Sequence, residues 1–248
     1  MQLSENWFVD APWAQLLCST KIPDDTLQRF IAMSDKVLDE ADGLGNTTVI
    51  PSSWEISPEK FQEYDVLIYT MEMVSKYMNT MLSNGNVKQN MDNVISDGPH
   101  TQWNSRIITA WIVSQKEDDY LPVHAHNQVT ADHQFAKISG VMYLKLPKQM
   151  ERKLDETSLK TGKDGQIAFT GMGDADPLQT TSLYNIQPEI GWFYIFPSTL
   201  NHQVYPFKGE GERRGISFNV DFMSKEQLEK IRNLLEDPLT EIKRLNYE

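Results

Sequence analysis

The chain has 248 residues, 35 acidic against 23 basic, and a formal net charge of −12 at pH 7. That length suits a single domain with a sizeable core, and the acidity repels a phosphate backbone, so nucleic acid is not an expected partner. The lone Cys18 excludes an intrachain disulfide and fits a reducing compartment, the cytoplasm by default. No basic-apolar leader and no run of about eighteen uncharged apolar residues suggests export or a membrane span.

Two helical stretches come first. Residues 26–41 follow the acidic pair Asp24 and Asp25, which suits a helix start, and place Leu27, Phe30, Ile31, Met33 and Leu38 mostly at helical spacing. Ser57 and Pro58 then open a longer expected helix reaching about Leu82. Its apolar stripe runs from Phe61 through Leu67, Met71, Val74 and Met78, made to pack on a sheet.

Beyond the polar stretch 83–98 the period changes. Residues 103–113, 136–146, 166–169, 192–196, 203–207 and 215–222 are short, rich in β-branched and aromatic side chains, and separated by Gly, Pro, Asp and Asn. They predict one antiparallel β-structure. In the first of them Trp103, Ile107, Trp111 and Val113 share one parity and Ile108, Ala110 and Ile112 the other, so both faces should be covered. Residues 146–164 and 171–181 are expected as polar surface loops, and Ser224 with Gln227 starts a final helix by a capping-box pattern. The expected organisation is one domain: 1–98 helical support, 99–223 β core, 224–248 C-terminal helix.

Among five histidines, His124 and His126 form an H-x-H pair, and His202 precedes Arg213 by eleven positions. Residues two apart in a strand point the same way, so the pair can offer two imidazoles to one cation, with His202 the third from a distant strand. Neutral imidazole suits Fe, Zn, Cu and Ni, and three ligands leave positions open for substrate or oxygen. A lone strand histidine is more often an ordinary polar residue; the combination is what points to metal. His100 and His133 have no such context and are expected at the surface. Alternation puts Arg213, Gly215, Ser217 and Asn219 on one face of the last strand. Arg213 there would hold an anionic ligand through a bidentate pair, whereas Arg214 reads as a surface salt bridge to Glu210 or Glu212.

The segments 124–126, 139–144, 191–198, 201–206 and 211–219 together resemble the 2-oxoglutarate and iron(II)-dependent oxygenases, in a branch near the prolyl hydroxylases. The resemblance covers roughly residues 103–222. It implies a mainly β fold, a double-stranded β-helix or jelly roll, with N-terminal helices packed on the outer sheet and a C-terminal helix. It implies Fe(II) and 2-oxoglutarate as cofactors and O2 as cosubstrate, with release of succinate and CO2, most simply in a hydroxylation. His124 and His202 then become iron ligands and Arg213 the partner of the 2-oxoglutarate distal carboxylate, with Tyr143 a second candidate for that carboxylate.

Two positions depart from the family. Its usual iron motif is His-x-Asp or His-x-Glu, but His126 occupies the carboxylate slot here. Either His126 completes a three-histidine site, or a loop carboxylate such as Asp132 swings in, or iron binding is lost. Gly215 stands where an Arg-x-Ser pattern would place a hydroxyl. Two other readings keep the fold: a cupin-like metal protein working without 2-oxoglutarate, and a non-catalytic jelly-roll binding module. The substrate, small molecule or peptide, is not legible. The mouth is expected to be walled by residues 127–134 and by the insert after Pro147.

Overall fold

In the computed structural model, residues 7–10, 15–41, 53–83, 103–126, 136–150, 164–171 and 183–224 are described. Eleven strands and three helices follow in chain order: β1 (Trp7–Asp10), β2 (Leu17–Lys21), α1 (Asp24–Ala41), β3 (Ser53–Glu55), α2 (Pro58–Glu63), α3 (Leu67–Ser83), β4 (Trp103–Gln115), β5 (Leu121–His124), β6 (Ile138–Lys145), β7 (Ile167–Thr170), β8 (Leu183–Ile186), β9 (Trp192–Pro197), β10 (Asn201–Val204) and β11 (Arg213–Ser224). The strands form a seven-stranded sheet, β1-β2-β9-β6-β11-β4-β3, and a four-stranded sheet, β5-β10-β7-β8. From β4 onward the chain changes sheet at every connection except β7–β8, and the pairing is antiparallel throughout. That is the topology of a jelly roll.

The large sheet is apolar on both faces, as the first strand's composition requires. Its outer face carries Ile112, Met142, Phe193, Ile216 and Phe218, which pack with Phe30 and Met33 of α1, Phe61 of α2, and Val74 and Tyr77 of α3 in one buried cluster. Its inner face carries Tyr143, Tyr194 and Phe196, which meet Ile167, Phe169 and Val204 of the small sheet. Burying each such side chain contributes about 1.5–3 kcal/mol. Arg214 locks helix to sheet: its guanidinium donates to both Glu212 carboxylate oxygens, at 2.6 and 2.8 Å, to Ser34 Oγ at 3.2 Å and to Asp35. It is buried, so the expected surface pair is instead an interior tie between β11 and α1.

Several local expectations change. The long helix from Pro58 is broken at Asp65, whose φ of 53° is left-handed. Asp65 N–H donates to Gln62 O and Val66 N–H to Phe61 O, the two bonds of a Schellman stop, and Val66 and Phe61 share the buried cluster that seals it. The apolar stripe survives because α3 restarts at once.

In β4 the register against β11 slips between Asn219 and Val220: Asn219 faces Thr109 and Val220 faces Ile107. This bulge at Ile108 inverts the parity, so Ile107 joins Ala110 and Ile112 on the helix side while Trp111 and Val113 face inward. The expected strand 203–207 lies earlier, at β10, because Pro206 cannot donate to a ladder. The N-terminal segment is not only helical; β1, β2 and β3 widen the large sheet at its two edges. The expected C-terminal helix, the stretch 84–102, most of the insert after Pro147, and His100, Asp132 and His133 lie outside the described residues. Among the described residues no helix is long and apolar enough to cross a membrane.

Candidate metal centre

Strand pairing brings the histidines together. His124, at the end of β5, is the direct antiparallel partner of His202 in β10, and their ring centroids lie 4.3 Å apart. His126 sits just past the end of β5, where its backbone N–H donates to Ser198 O at 2.8 Å. Its ring lies 5.2 Å from that of His124 and 5.0 Å from that of His202. One ligand nitrogen from each of the three falls within 4.8 Å of the others. Among the described residues no carboxylate joins them.

The hydrogen bonds fix which nitrogen that is. His124 Nδ1 lies 2.7 Å from Pro122 O, His202 Nδ1 2.9 Å from Leu200 O, and His126 Nδ1 2.7 Å from Asn219 Oδ1. Carbonyl and amide oxygens only accept, so each Nδ1 carries the proton and each Nε2 keeps its lone pair. Nε2 of His126 is buried without a partner, which is costly unless something occupies the space between the rings. Burial drives the His126 pKa down to about 4, with His124 adding to the fall and Asn219 opposing it. Burial likewise takes His202 to about 3, helped by the other two imidazoles. Both are therefore neutral at pH 7, the form that binds a metal. A set of three neutral imidazoles fits Fe(II) among other divalent transition metals.

The rings line a cavity between the sheets, together with Trp111, Val113, Leu121, Val141, Tyr143, Ile167, Phe196, Val204, Arg213 and Ser217. Among the described residues Arg213 is the one charged side chain of this lining. It is 5 % exposed, donates to Gln115 and, at 3.1 Å, to Tyr143 Oη, and leaves Nε without a partner. No acidic side chain pairs with it among the described residues. A buried guanidinium held only by neutral groups retains most of its desolvation cost, and an incoming carboxylate would relieve it. Burial raises the Tyr143 pKa, with Arg213 pulling against it, so its hydroxyl stays protonated.

The structure thus brings His124, His126, His202, Arg213 and Tyr143 into one cavity. Gly215 has a physical reason: a Cβ there would lie 2.7 Å from the backbone oxygen of Met142, where β11 and β6 approach closely, so serine does not fit. Ser217 lines the cavity two residues on. Sequence reasoning missed Gln115, Ser139 and Thr109. Asn219 stood on the same face as Arg213, and that parity was the available signal.

The sequence matches the profile of a family described as "putative 2OG-Fe(II) oxygenase" over residues 109–219. No curated protein matches significantly. Solved structures with a similar chain path include a prolyl-4-hydroxylase from Pseudomonas putida, at 14 % identity, 88 % of this chain, 93 % of that chain and TM-score 0.46. Another is the collagen prolyl hydroxylase of Paramecium Bursaria Chlorella virus-1 in its 2OG complex, at 15 %, 82 %, 94 % and 0.44. A third is an oxidoreductase of the 2OG-Fe(II) oxygenase family from Burkholderia pseudomallei, at 14 % and 0.32, where 59 % of this chain spans 55 % of that one. The segment 109–219 that resembles the 2OG-Fe(II) oxygenase family contains all three histidines and Arg213, so the likeness falls on the residues that line the cavity.

Proposed function

We propose that this protein is a 2-oxoglutarate- and Fe(II)-dependent oxygenase acting as a hydroxylase, with Nε2 of His124, His126 and His202 as the metal ligands. The observation that carries it is the placement of a buried Arg213, without an acidic partner among the described residues, in the same cavity as three imidazoles whose ligand nitrogens lie within 4.8 Å of one another. With metal and 2-oxoglutarate bound, O2 oxidises a substrate C–H bond while 2-oxoglutarate loses CO2 and becomes succinate. The chain's own residues bind and orient. Arg213, with Tyr143 beside it, takes the distal carboxylate of 2-oxoglutarate. Trp111, Val113, Leu121, Phe196 and Val204 keep the cavity apolar and limit water around the reacting groups. Because the ligands are uncharged, metal and Arg213 together make the site cationic, which favours a dianionic cosubstrate.

The cupin-like reading loses ground because Arg213 faces the cavity instead of lying outside it. The continuous apolar cluster shared by α1–α3 and the large sheet favours residues 1–248 acting as one domain. A small molecule or peptide as substrate, and the cytoplasm as compartment, complete the proposal. The decisive experiment is anaerobic titration of the protein with Fe(II) and 2-oxoglutarate, followed by the weak metal-to-ligand charge-transfer absorption. The band is expected in the wild type, reduced in His126→Ala and shifted to higher 2-oxoglutarate in Arg213→Met; its absence from the wild type rejects the proposal.

A further inference from the structure

We infer that Asn219 is the positioning residue that makes His126 a metal ligand, an inference that rests on the three-histidine reading above. His124 and His202 each find the acceptor for Nδ1 in a backbone carbonyl two residues earlier, so any side chains there would preserve it. His126 lies beyond the end of its strand and takes its acceptor from a side chain on another sheet. Its ring orientation is therefore the one of the three that depends on a distant residue.

Asn219 is 1 % exposed and is the middle of three polar side chains aligned across the large sheet. Thr109 of β4 and Ser139 of β6 are its direct register partners on either side. Thr109 shares its parity with the inward-facing Trp111 and Val113. The Asn219 amide donates through Nδ2 to Thr109 Oγ1 at 3.0 Å and accepts at Oδ1 from Ser139 Oγ at 2.7 Å and from His126 Nδ1 at 2.7 Å. Ser139 Oγ also lies 3.1 Å from His126 Nδ1. With the amide reversed, its nitrogen would donate to Nδ1, drive the proton to Nε2 and remove the lone pair a metal needs. In the orientation present, both flanking hydroxyls are hydrogen-bonded to the amide and Nε2 of His126 stays free.

As an amide, Asn219 is also an uncharged outer partner. Aspartate in place of Asn219 has nearly the same shape and could accept from the same three groups, His126 Nδ1, Ser139 and Thr109, while making the imidazole a stronger ligand. Leucine has similar bulk and no acceptor.

The test is calorimetric titration of the full chain with Co(II) alone, together with the visible spectrum of the bound ion. Asn219→Leu is expected to bind Co(II) about 10- to 100-fold more weakly, Asn219→Asp at least as tightly as wild type, and His126→Ala more weakly with an altered spectrum. Asn219→Leu within threefold of wild type, with His126→Ala impaired, overturns this inference and leaves the three-histidine site standing. His126→Ala indistinguishable from wild type overturns both. Equal losses in Asn219→Leu and Asn219→Asp show a packing effect and also overturn it. If Asn219→Leu does not fold, Asn219→Asp decides alone: undiminished affinity supports the role, and weaker binding rejects it.

Discussion

Replacing Arg213 by methionine separates recognition from stability. Arg213 is almost fully buried, and among the described residues its donors meet only Gln115 and Tyr143. Removing one partner of a desolvated, hydrogen-bonded charge pair costs about 2–5 kcal/mol, which at about 1.4 kcal/mol per decade is roughly 30-fold to a few thousandfold in the Kd for 2-oxoglutarate. Two terms oppose each other in the unliganded fold. Methionine removes the desolvation cost of a buried cation, but it leaves Gln115 and Tyr143 without a donor, at about 1–3 kcal/mol for each group left unsatisfied. The net effect on folding should therefore stay well below the effect on binding. The assay is anaerobic titration with 2-oxoglutarate at saturating Fe(II), paired with urea unfolding and a Co(II) titration of the same protein. Unchanged 2-oxoglutarate affinity, or metal affinity lost in parallel, would refute the assignment of the cation to the cosubstrate.

Three further outcomes are expected. The metal-free protein should lose stability as pH falls below about 6.5: the unfolded histidines take up protons there, while folded His202 and His126 do so only near 3 and 4. The stability is complete above 6.5 and falls by up to about 1.4 kcal/mol per pH unit per histidine, so urea midpoints that agree at pH 7.5 and 5.5 contradict it. Arg214→Met should destabilise the fold by about 2 kcal/mol, a figure reduced from the usual cost of orphaning a buried carboxylate because Glu212 and Asp35 keep partial contact with water; unfolding within 0.5 kcal/mol of wild type, a limit set by the scatter expected for ordinary surface changes, counts against the tie. Gly215→Ser should lower the melting temperature, because its Cβ would press on the Met142 oxygen, and unaltered melting would show that β11 yields there.

Periodicity in the sequence was enough for the strands that became β4, β6, β7, β9 and β11, since each carries its own alternation or apolar run. It also placed the helix stripe and the inward face of Arg213, Ser217 and Asn219. Strands such as β3 and β8, which are short and lack an apolar run like that of β7, carry too little pattern to show, and they form where a neighbour's ladder receives them. The Schellman stop at Asp65 was likewise hidden, because α3 resumes the same apolar stripe.

The residue types needed for a metal, an H-x-H pair and a distant histidine followed by arginine, were settled by sequence alone, because coordination depends first on which atoms are present. Whether those atoms meet depends on register: β5 against β10 sets His124 opposite His202, and β4, β11 and β6 set Thr109, Asn219 and Ser139 in one row. Register between strands far apart in the chain is fixed by the packing of both sheets at once, so no local stretch encodes it, and the proton positions that make three imidazoles usable exist only in the folded protein.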